Sequence, residues 1–192
     1  MRIFLARYHQ MSKLSATTQM TRKAFYQAVQ TYNWTRRINA VHMHHTWSPN
    51  HKTWKGVDSQ LGMWRYHTET LGWGDIAQHV TIAPDGIIWG GRYWNSQPAS
   101  STGFNGSGST GPFMFEMVGN FDTGNDILQG EQLYSAMHTC ACLLDKFDLP
   151  IEAVKFHRHL NSPKTCPGSG LDYHTILGEV QAYIDTQYTR YK

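Results

Sequence analysis

The run Val41-His42-Met43-His44-His45-Thr46-Trp47 constrains this chain more than any other stretch. It is apolar enough for a buried strand, yet it carries three imidazoles. Strand side chains alternate between faces, so His42, His44 and Thr46 share one face and Met43 and His45 the other. At most two of these imidazoles can therefore meet at one point. A second cluster, Phe156-His157-Arg158-His159-Leu160-Asn161-Ser162-Pro163-Lys164-Thr165-Cys166-Pro167-Gly168, lies far downstream and adds two more histidines and a cysteine. Imidazole and thiolate are the donors zinc prefers, and a catalytic zinc site uses three protein ligands with a fourth position open. Histidines at a sheet margin and a cysteine before Pro-Gly also have an ordinary structural account, and spacing by itself leaves His157 and His159 as alternatives.

The rest of the chain reads as an α/β fold. At 192 residues it suits one domain with a substantial core. Phe25, Ala28, Val29 and Tyr32 recur at helical spacing behind Thr21, a residue type suited to cap a helix. They belong to an N-terminal helical extension, 1–36, ahead of a main domain at 37–192. Ile38 to His44 predicts the first strong strand. Val57, Leu61, Trp64, Thr68 and Leu71 mark one helix face, with Asp58 or Ser59 as cap and Gly72 as stop. Asp75 to Ile82 predicts a strand that turns through Pro84-Asp85-Gly86 into a partner at Ile87 to Gly90. Asn95 to Gly111 is too polar for core and too long for an idle connector, which suits a loop on a binding face. Pro112 to Gly119 and Ala153 to Phe156 read as strands. Leu133 to Phe147 and Tyr173 to Ile184 read as amphipathic helices. Strands alternating with helices predict a central mixed sheet flanked by helices.

Glu116 lies in Pro112-Phe113-Met114-Phe115-Glu116-Met117-Val118, an otherwise apolar strand. A carboxylate there is costly unless it is paired, functional or on an exposed edge face. The functional account is a general base beside a metal.

Composition narrows the partners. A net charge of +3 with no Lys/Arg stripe argues against nucleic acid while suiting an anionic polymer. Three cysteines do not make a disulfide framework, and Cys140 falls in the apolar stripe of its helix. No run reaches membrane-spanning length and none near the start resembles a signal peptide. The expectation is a chain made in the cytoplasm, without membrane insertion, that reaches any outside target by another route.

Taken in order, several segments resemble the zinc-dependent N-acetylmuramoyl-L-alanine amidases of the type-2 amidase and peptidoglycan recognition protein superfamily. These are His44-His45-Thr46, Leu71-Gly72-Trp73-Gly74-Asp75-Ile76, Pro84-Asp85-Gly86 with Gly91-Arg92, Gly103-Phe104-Asn105, Val118-Gly119-Asn120-Phe121 and Lys164-Thr165-Cys166-Pro167-Gly168. The resemblance implies zinc held by His44, His157 and Cys166, with His157-Arg158 matching the family's His-Arg pair. The interval from His157 to Cys166 is one residue longer than usual, and the extra residue is placed near Ser162-Pro163. The resemblance further implies that Glu116 activates water and that Lys164 stabilises an oxyanion. One branch of the family uses a Tyr where this chain has Gln78; Gln cannot act as a base, which aligns the chain with the branch that uses Glu. Ser100 stands where some relatives carry a His. Trp47, Trp94, Phe104 and Asn105 are candidate substrate-binding residues. The implied substrate is the amide joining N-acetylmuramic acid to L-alanine in peptidoglycan, cut by a monomer. The alternative is a module of the same fold that binds peptidoglycan without cutting it; relatives that only bind often lack the cysteine.

Overall fold

Arg37–His45 forms the longest strand, β2, and its alternation follows the residue types: Val41 and Met43 are fully buried in the main core, while His42 and His44 leave the sheet on the other side. The computed structural model describes residues 15–160 and 162–192. The first fourteen residues of the expected N-terminal extension, and Asn161 of the second cluster, lie outside the described residues. Four further strands follow β2: β3 (Val80–Ile82), β4 (Ile88–Gly90), β5 (Thr110–Met117) and β6 (Val154–Phe156). With β1 (Gln19–Met20) they make one mixed sheet in the order β1-β4-β3-β5-β2-β6. The β1–β4–β3 side is antiparallel; β3, β5, β2 and β6 run parallel. Parallel strands end on the same side, and ligands of open α/β sheets bind beyond those carboxyl ends.

One face of the sheet carries the core. Val80, Ile82, Phe113, Phe115, Met117, Val154 and Phe156 point there, beneath the helix α3 (Gly130–Phe147). Helices α1 (Arg22–Thr31) and α4 (Tyr173–Thr186) pack on either side of α3. This explains why Cys140 and Cys142, two positions apart on α3, are both fully buried: each side of the helix is covered. Thr21 caps α1 as expected, its Oγ1 accepting from the Ala24 amide at 3.2 Å. Phe25 and Val29 of α1 are fully buried in the shared core, and β1 pairs with β4, so the described part of the N-terminal segment is knitted into both helix layer and sheet.

Two local expectations differ from the structure. Helix α2 (Val57–Arg65) is not capped by Asp58 or Ser59. Gly56 takes the N-cap position with φ +57, and Ser59 Oγ instead accepts from the Lys55 amide. The strand expected from Asp75 is regular only over Val80–Ile82, because the preceding backbone bonds to side chains: Ile76 N–H donates to Asp75 Oδ1 and Ala77 N–H to His67 Nδ1. Beyond α2 the chain continues as one π-helical turn, Tyr66–Thr70, and ends at Gly72 with φ +70, the stop that the sequence marked.

Candidate metal centre and cleft

His44 stands near the carboxyl end of β2. His157 opens a 3-10 turn, His157–His159, directly after β6, so the ends of two paired strands present two imidazoles side by side, ring centroids 4.4 Å apart. Cys166 comes from the irregular segment that follows. Its Sγ lies 3.5 Å from His44 Nδ1. One donor atom from each of His44, His157 and Cys166 lies within 4.8 Å of the other two. Bonds of about 2.0–2.3 Å from one tetrahedral zinc ion put its donors roughly 3.3–3.8 Å apart, so small adjustments close this set around an ion.

The electrostatics suit a cation. Burial holds the His44 imidazole well below its usual pKa, with the His157 charge adding to the effect, so the ring is neutral. Its Nε2 is buried without a hydrogen-bond partner among the described residues. His157 is lowered by burial and by Lys164. Burial pushes the Cys166 thiol up to about 12, aided by the Glu116 charge. Apolar surroundings thus keep this thiol protonated, and a bound cation is what would make the thiolate stable. The donors fit zinc in type and number, and their spacing is within small adjustments of it.

His159 is excluded from this set. It is exposed, lies flat on Phe156 at 5.6 Å and meets the edge of Tyr173 at 4.8 Å. Successive residues of a tight turn point in different directions, and only His157 faces the cleft. His42 is buried, and burial lowers its pKa to about 4; its Nδ1 has no partner among the described residues, and it does not join the three donors. His45 accepts from the Phe121 amide at Nδ1, 3.3 Å away.

The three donors sit in the floor of a cleft of about 1070 Å³. Glu116 reaches the same cleft from β5. Burial pushes its carboxyl up to about 8, with Lys164 opposing the shift. Lys164 and Asp122 flank the donors, and Trp47, 60% exposed, stands on the wall. The far wall comes from α2 and its π turn, with Tyr66, His67 and Trp73, the last two stacked 5.0 Å apart. Residue types and helical spacing do not mark Tyr66 or His67 as cleft residues. Leu71-Gly72-Trp73 carried a family resemblance there, but a π turn has no sequence period that would have aimed Tyr66 and His67 at the cleft.

Three substrate-binding candidates lie elsewhere. Trp94 is a core residue, 8% exposed, stacked on Trp34 at 5.5 Å and meeting Phe25 and Phe113 edge to face. α1 and Trp34 supply the aromatic partners that bury it. Phe104 borders a separate, smaller hollow of about 360 Å³ together with His42. Asn105 is taken up inside its own loop, its Oδ1 accepting from the Ser100 and Ser101 amides. Through that contact it shapes a segment that reaches the cleft at Ala99 and Ser100. Gln78 is fully buried, donates to Thr81 Oγ1 and does not line the cleft.

A protein-family model described as N-acetylmuramoyl-L-alanine amidase matches residues 34–169. The chain is 29% identical over 131 residues to peptidoglycan-recognition protein SC2 of Drosophila melanogaster, covering 67% of each chain. In structure it resembles the N-acetylmuramoyl-L-alanine amidase LysC from Clostridium intestinale (TM-score 0.62, 22% identity, 79% of this chain and 94% of that one). It also resembles a variant of the Drosophila recognition protein PGRP-LB in complex with tracheal cytotoxin (TM-score 0.60, 24% identity, 72% of this chain and 79% of that one). These likenesses to solved structures show the fold.

Proposed function

We propose that this chain, which belongs to the N-acetylmuramoyl-L-alanine amidase family, is a zinc-dependent hydrolase that cleaves the amide between N-acetylmuramic acid and L-alanine in peptidoglycan and so acts on the cell wall. The observation that carries the reading is that His44, His157 and Cys166 converge in the floor of a cleft that also holds Glu116. The likeness to an amidase and to a recognition protein in complex with tracheal cytotoxin supports peptidoglycan as the class of ligand.

His44, His157 and Cys166 would hold zinc, which supplies Lewis acidity that polarises a carbonyl and makes water acidic near neutral pH. Glu116 provides the proton traffic. Its carboxylate takes a proton from the attacking water at Oε and afterwards returns it to the departing amine of alanine. Burial raises its pKa, to about 8 in the metal-free protein, and a bound cation would draw it back toward neutrality, where both acceptance and return are open to it. Lys164 places a cation on the same cleft, where negative charge develops on the amide oxygen. Trp47 offers a flat apolar surface to the glycan or peptide at the mouth.

Recognition proteins among the relatives favour a second reading, a module that binds the polymer without cutting it. The test is to incubate purified protein with cell-wall sacculi, with and without a chelator, and assay new amino termini on alanine. Chelator-sensitive release is expected. Binding with no release supports the module, and release indifferent to chelator rejects zinc.

A further inference from the structure

Arg158 follows one donor residue in the chain and grips the segment that carries another. No helix or strand spans the described residues between His159 and Tyr173, so no ladder fixes Cys166. Arg158 does so instead. Its backbone N–H donates to the Cys166 carbonyl at 2.8 Å. Its Nη1 donates to the Gly168 carbonyl at 2.7 Å and to the Thr165 carbonyl at 3.3 Å, and its Nη2 donates to the Leu171 carbonyl at 2.6 Å. The guanidinium carbon lies 4.7 Å from the centre of the Phe156 ring, a fully buried side chain at the end of β6. One planar fork is thus stacked on the rigid strand that delivers His157, and its hydrogen bonds close around both flanks of Cys166. The opposite side of the segment rests on the loop after β5, where Gly170 N–H donates to the Phe121 carbonyl and Ser169 N–H to Asp122 Oδ1.

We propose that Arg158 is the positioning residue of the metal centre: its planar fork, stacked on Phe156, holds the Thr165–Leu171 segment so that the Cys166 sulfur stays within reach of His44 and His157. The proposal rests on the zinc reading above. It requires the fork and not merely the charge, because three carbonyls spread along a turn need donors held in one plane, which an ammonium group does not provide.

The experiment uses Arg158→Lys and Arg158→Met in the full chain, beside wild type and Cys166→Ser. Zinc is titrated against a chromogenic chelator, and in the metal-free proteins the alkylation rate at Cys166 is followed by peptide mapping. Cys140 and Cys142 are fully buried and serve as internal controls for folding. Both Arg158 variants are expected to bind zinc tenfold or more weakly and to alkylate severalfold faster at Cys166, with no rescue by lysine. Zinc affinity within twofold of wild type in the lysine variant overturns the proposal, as does weakened zinc binding with unchanged alkylation. Should the methionine variant fail to fold, the lysine variant decides alone. A wild-type chain that holds no zinc rejects the metal reading, and the alkylation rates still decide whether Arg158 fixes Cys166.

Discussion

His44 of β2 and Glu116 of β5 are register partners in adjacent parallel strands, so both side chains leave the sheet on the same face. The proposed metal donor and the carboxyl proposed to work beside it are thereby set by one hydrogen-bonded ladder. A slip of one residue would turn either of them into the core.

This pairing predicts the behaviour of Glu116→Gln. The amide keeps the shape of the side chain and cannot exchange the proton. Zinc content should match wild type while turnover falls about 10²–10⁴-fold, read by release of alanine amino termini. Full activity would mean that another group is the base.

The same substitution has a signature in stability. The carboxyl's pKa of about 8 in the folded chain lies above its usual 4.5, so between those values the folded state holds a proton that the unfolded state has lost. Stability therefore falls as pH rises from about 4.5 to about 8. Metal-free Glu116→Gln should be more stable than metal-free wild type at pH 8, by on the order of a few kcal/mol, and the difference should vanish near pH 4. Urea unfolding at the two pH values measures it.

Cys166→Ser should lose most bound metal, since a hydroxyl is a poor replacement for thiolate. Elemental analysis of purified protein reads it directly, with about one zinc per chain expected in wild type and little in the variant. An unchanged zinc content would remove the sulfur from the ligand set.

Lys164→Gln removes the cation that holds down the Glu116 pKa. The acid limb of the rate profile should move to higher pH, because the base then ionises later. kcat should fall by about 10²–10³-fold, the usual cost of losing one group that stabilises developing charge. A pH series on a soluble muropeptide tests both.

Two tryptophans should part company. Trp94→Ala opens the aromatic core around Trp34, Phe25 and Phe113 and should cost about 3–5 kcal/mol. Trp47→Ala, at an exposed side chain, should change stability by less than about 0.5 kcal/mol while raising KM. Paired denaturation and kinetic measurements distinguish them.

The amino-acid sequence by itself determined the alternation of β2, the helices α1, α3 and α4, and the residue types of the donor set. Those follow from periodicity, capping and ligand chemistry, which are local properties of the chain. Spacing did not choose between His157 and His159; only the resemblance to the family's His-Arg pair favoured His157, and it is the turn after β6 that points His157 inward and lays His159 on Phe156. Nor could the sequence separate Trp47 from Trp94, because burial depends on which partners the fold delivers: Trp94 meets Phe25 and Trp34 across long stretches of sequence, whereas Trp47 stays 60% exposed. The clamp of Arg158 on the Cys166 segment is of the same kind. Backbone carbonyls leave no trace in residue types, and only the folded path of the chain gathers them around one guanidinium.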